Sequence, residues 1–102
     1  MIRFERSRQF KRTMKAEAVR FAKAAAALAK KIDGTARFQI FTGVFSSVEK
    51  VFWIGDFKGL AALEKTLMKI EADARWKKFI SEAPKDIFVE GSGRESIMQL
   101  VK

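Results

Sequence analysis

The sequence predicts an α+β fold with the element order strand, helix, strand, strand, helix, strand. Three observations carry that prediction. An alanine-rich segment over 12–32 repeats its apolar residues with helical period. Two segments with alternating patterning, 36–45 and 49–56, follow it closely enough to form a hairpin. A length of 102 residues leaves room for one hydrophobic core, so residues 1–102 are expected to form a single domain.

The opening residues 1–10 read as a strand in which Ile2, Phe4, Arg6 and Arg8 share one face. In the long helix Phe10, Met14, Phe21, Ala25, Leu28 and Ile32 fall on one stripe, while Arg12, Lys23 and Lys30 lie opposite. Asp33-Gly34 is its predicted stop, with the glycine free to take positive φ. Across 36–45, Phe38, Ile40, Thr42 and Val44 alternate with Arg37, Gln39, Phe41 and Gly43. Across 49–56, Phe52 and Ile54 alternate with Val51, Trp53 and Gly55, and Ser46-Ser47 suits the tight connection. The face with Phe52 and Ile54 is expected beneath the helices. The mixed face with Arg37, Gln39 and Trp53 is expected to look away.

A second helical region spans about 57–70, where Leu60, Leu63, Leu67 and Ile70 recur at helical spacing. Asp73 reads as the N-cap of a shorter helix that directs Trp76, Phe79 and Ile80 inward and ends by Pro84. Gly91-Ser92-Gly93 reads as a turn or bulge before a last strand over 94–101. This order is the split βαβ, or ferredoxin-like βαββαβ, arrangement: a four-stranded antiparallel sheet with helices on one face. Phe41, Val51 and Trp53 would then stand on the uncovered face. A second copy packed against it would give a barrel-like homodimer.

Composition narrows the chemistry. The chain has no His, Cys, Tyr or Asn. Nucleophilic Ser–His or Cys–His pairs and His/Cys zinc sites cannot be assembled, and haem would lack its usual axial ligands. No catalytic residue, metal or cofactor is expected. Asp and Glu are the carboxyl groups left for acid–base work; of these Asp56 and Glu49 stand near the mixed face, Asp56 reading as a helix cap and Glu49 as a turn residue. No uncharged run approaches the roughly 20 apolar residues of a transmembrane helix, and residues 1–12 lack a signal-like apolar stretch. A cytoplasmic location, which the lack of cysteine suits, and no membrane partner are therefore expected. Net charge is +9; residues 1–31 carry ten Lys or Arg against two acids, and the remainder eleven against ten. Arg3, Arg6, Arg8, Lys11, Arg12 and Lys15 could meet phosphates. A solvated helix face is the simpler reading, and without a recognisable base-reading motif a nucleic acid is not the expected partner.

Several segments resemble a known family. Ile2 through Glu5-Arg6-Ser7, Phe57 through Leu60-Ala61-Ala62-Leu63-Glu64, and Asp73-Ala74-Arg75-Trp76 are similar to the first strand, second helix and acidic-then-Trp segment of NIPSNAP-type proteins in the dimeric α/β barrel superfamily. Arg8 stands where that family often carries an aromatic residue. The resemblance implies a dimeric barrel whose wider relatives include cofactor-free monooxygenases of antibiotic biosynthesis, haem-degrading oxygenases and haem peroxidases. The His and Asn on which the haem-dependent relatives rely have no counterpart here.

The expected site is a cleft on the mixed sheet face, with Arg6, Arg37, Gln39 and Trp53 on its wall. Guanidinium and amide groups on an apolar wall suit a small hydrophobic or acidic molecule. The alternative is that the four residues rim a dimer interface, and Trp76 reads as core. The leading expectation is a homodimeric small-molecule-binding domain with no demonstrable catalytic apparatus. A cofactor-independent monooxygenase and a basic nucleic-acid-associated protein are the alternatives.

Overall fold

The computed structural model describes residues 1–43 and 49–102. Val44 and Phe45 of the expected second strand, and the Ser46-Ser47 connection, lie outside the described residues. The elements are β1 (Ile2–Gln9), α1 (Lys15–Ile32), β2 (Gln39–Thr42), β3 (Lys50–Phe57), α2 (Leu60–Ala72), α3 (Ala74–Ser81) and β4 (Arg94–Gln99). The strands form one sheet in the order β2-β3-β1-β4, with every neighbouring pair antiparallel. This is the ferredoxin-like order that the element sequence predicts.

Helix α1 begins at Lys15 rather than at residue 12. The backbone before it is engaged elsewhere: Lys11 N donates to Ile87 O at 2.8 Å, and Met14 N turns back to Lys11 O at 2.8 Å. Its end is made by Asp33, not by a left-handed glycine. The Asp33 carboxylate accepts from Thr35 N at 2.9 Å and from Thr35 Oγ1 at 2.6 Å, a local turn that outcompetes the next helical bond. These bonds hold the Asp33 carboxyl below its ordinary pKa. The predicted cap of α3 is present, since Asp73 accepts from Arg75 N at 2.8 Å. Among the described residues the positive-φ glycine is Gly91, at φ 74, in the turn that precedes β4.

The buried stripe of α1 is Ala18, Ala22, Ala25, Ala29 and Ile32. Short side chains let the helix lie close on the sheet, where it meets Val51 and Trp53 of β3. The register pairs Ile40 with Trp53 and Gln39 with Ile54. Val51, Trp53, Gly55 and Phe57 therefore face the helices, and Phe52 and Ile54 face away. This reverses the expected assignment for β3. Trp53 is 8% and Val51 0% exposed, and the Trp53 Nε1–H donates to Ala22 O at 3.1 Å. A helix carbonyl that satisfies the indole fixes the inward face. In α3 the inward reading holds in part: Trp76 packs on the Ala29, Ile32, Ala36 and Ile70 cluster, whereas Ile80 is 48% exposed.

Gly55 shows how tightly the inner face is filled. A Cβ on it would lie 2.8 Å from Phe38 Cδ1 and 2.9 Å from Phe38 Cε1. The Phe38 ring is held in turn by Phe4 and Phe57, each with ring centroids 6.1 Å away. Gly55→Ala is expected to cost about 1–3 kcal/mol in urea unfolding, because the ring must leave its place. A Phe38→Leu background should recover much of that loss; an undiminished penalty there would show that the close approach is not its cause.

Candidate functional site

The sheet and the helical layer do not close completely on one another. A cavity of about 140 Å³ opens between β1, α1 and the junction of α2 with α3. Phe4, Phe38 and Trp53 line its sheet side, Phe21, Ala25, Ala26 and Ala29 come from α1, and Leu67, Ile70, Trp76 and Ile80 complete the apolar wall. The alanines that bring α1 close also leave the space. Phe79 braces the wall from behind, stacked on Phe21 with centroids 5.2 Å apart and tilted against Trp76 at 5.9 Å.

Arg6, Arg8 and Glu71 are the charged residues of the lining. Arg6 and Arg8 stand two apart on β1 and so project to the same face, about 6–7 Å along the strand from each other. Arg6 pairs with Glu95 of β4 and remains about half exposed. Loss of hydration pushes its pKa below the ordinary arginine value; nearby Glu71 draws it back up, and Arg8 presses it further down. Arg8 has a different support. Its Cζ lies 4.3 Å from the centroid of the Phe88 ring, a cation–π contact that fixes the guanidinium.

The expected site residues separate into two groups. Arg6 and Trp53 meet in the cavity; with its Nε1–H spent on Ala22, Trp53 offers a ligand only its ring. Arg37 and Gln39 are exposed, Gln39 facing away from the helices in register with Ile54, so neither reaches the cavity. Phe41 is 48% exposed on that outer face. Val51 and Trp53, expected beside it at a dimer contact, are instead buried under α1, and Phe52 and Ile54 take the outer positions. Asp56 is not a helix cap. It binds Arg3 through two hydrogen bonds of 2.8 and 3.0 Å, which hold its carboxyl below the usual range, opposite to what a general base needs. Glu49 is exposed ahead of β3.

Arg8, which the sequence offers only as one of six basic residues that could meet phosphates, and Glu71 are not among the expected wall residues. The parity of Arg8 with Arg6 on β1 carries a signal for the first; Glu71 follows the apolar stripe of α2 with nothing to distinguish it. Among the described residues no group of three or more His, Cys, Asp or Glu could hold a metal ion. No described helix is long and apolar enough to cross a membrane. The arrangement is a largely apolar chamber whose charged lining is two guanidiniums and one carboxylate.

No family model and no curated protein matches the chain. Solved structures do. A NIPSNAP-like domain protein from Burkholderia xenovorans superposes with a TM-score of 0.78 at 12% identity, over 98% of this chain and 84% of that one. A NIPSNAP family protein from Agrobacterium tumefaciens gives 0.77 at 19% identity, over 98% and 92%. An antibiotic biosynthesis monooxygenase-like protein from Deinococcus radiodurans gives 0.68 at 11% identity, over 100% and 94%. At such identities the likeness is one of fold, and the fold of this chain is the one that NIPSNAP family proteins adopt.

Proposed function

We propose that this chain is a NIPSNAP-type binding domain that takes up a small, mainly apolar molecule between its helices and its sheet and carries out no chemistry on it. The cavity supports this reading: both tryptophans of the chain, Trp53 and Trp76, and three phenylalanines line one space of about 140 Å³. In this reading the domain works in the cytoplasm as a homodimer, joined through the outer sheet face that carries Phe41, Phe52, Ile54 and Met98.

The two tryptophans supply the test. A neutral aromatic alcohol such as 4-phenylbutan-1-ol is expected to change the tryptophan emission saturably. Ala25→Leu, which projects a larger side chain into the cavity, should abolish the response and leave the far-ultraviolet circular dichroism unchanged. Emission that ignores every neutral aromatic alcohol tried would end the proposal. The fold likeness to the Deinococcus radiodurans protein favours a second reading, a cofactor-independent oxygenase. Oxygen uptake on addition of an anthrone-like substrate would shift the assignment there.

A further inference from the structure

We propose that the molecule bound in the cavity is an apolar monocarboxylate whose carboxylate is read by Arg8 with Arg6 beside it. This rests on the binding reading above and names the ligand class for the same chamber. Three observations support it.

The first is the distribution of polarity. Apart from Arg6, Arg8 and Glu71 the lining is apolar, so a ligand needs a hydrophobic body and one polar end. The second is that Arg8 is positioned but uncommitted. Among the described residues no carboxylate lies within ion-pair distance of it, and its guanidinium is held instead by the Phe88 ring. A planar, fixed guanidinium is the side chain best suited to a carboxylate, which can accept two parallel hydrogen bonds from it. The third is that two guanidiniums share one face of β1 at a two-residue spacing. Their mutual repulsion contributes to the lowered pKa of Arg6, and an anion between them would relieve it.

The opposing charges set the valence. Glu71 lines the cavity and Glu95 holds Arg6. A dianion such as a phosphate monoester would face both carboxylates with twice the repulsion, whereas a single negative charge matches the one guanidinium that has no carboxylate of its own.

The experiment compares 4-phenylbutyrate with its amide, 4-phenylbutyramide, at low salt and neutral pH, read by tryptophan emission. The acid is expected to bind at least about tenfold more tightly than the amide. Arg8→Met should erase that preference and leave the affinity for the amide unchanged. Glu71→Gln should strengthen the acid alone. If Arg8→Met does not fold, Arg8→Lys decides: it keeps the charge, loses the fork and should retain only part of the preference. Equal affinity of wild type for acid and amide, or an undiminished preference in the Arg8 variant, overturns the assignment while the binding reading stands. If neither compound binds, both are overturned.

Discussion

Trp53→Ala is expected to remove about 3–5 kcal/mol of folding stability, as truncation of a large buried aromatic side chain does. At about 4–8 °C per kcal/mol for a domain of this size, the melting temperature should fall by about 12 °C or more. The ring sits among Phe10, Ala18, Ala22, Val51, Ile87 and Phe88, so alanine leaves a void that the alanines of α1 are too small to refill. Trp53→Phe separates the two contributions. It keeps most of the apolar contact and loses the Nε1–H bond to Ala22, and should cost about 1–2 kcal/mol. Urea unfolding checks both values. A Trp53→Ala protein that melts within a few degrees of wild type would contradict the inward placement of this residue.

Phe41→Glu is expected to leave the fold intact and to weaken the proposed dimer strongly. Phe41 is 48% exposed in the single chain, on the outer face of β2 in register with Phe52 of β3. Covered by a second copy, a glutamate there would lose its water without gaining a partner, at a cost of several kcal/mol. The dimer dissociation constant should rise about a hundredfold or more. Met68→Glu, on α2 and 71% exposed, is the control and should change nothing. Sedimentation or light scattering across a concentration series reads the outcome. A wild-type chain that is monomeric at high concentration rules out the dimer.

Helix α1, the Asp73 cap and the strand order were legible because each rests on local signals: helical period, a carboxylate at the right position, the succession of elements. The facing of β3 was harder to read, because Val51, Phe52, Trp53 and Ile54 put apolar side chains on both sides and alternation alone does not choose between them. A signal was nonetheless present. Lys50 and Asp56 share parity with Phe52 and Ile54, while Val51, Trp53, Gly55 and Phe57 include no charge. Gly55, beside a phenylalanine that needs its missing Cβ, marks the same side. The proposed site was half legible for the same reason. Arg6 and Trp53 were picked out, yet placed on the wrong side of the sheet with Arg37 and Gln39. The chamber depends on how far α1 and α3 stand from the sheet, a tertiary distance that no local pattern encodes.

The alanine stripe has a consequence for how such a domain could change its occupant. Ala25 and Ala29 are one helical turn apart and both border the chamber. A single replacement by valine at either position would take up part of the chamber, where the bulkier Ala25→Leu closes it. Under the proposed binding role, size selectivity would then shift in single substitutions along α1, while the arginines that would read charge stay where β1 holds them.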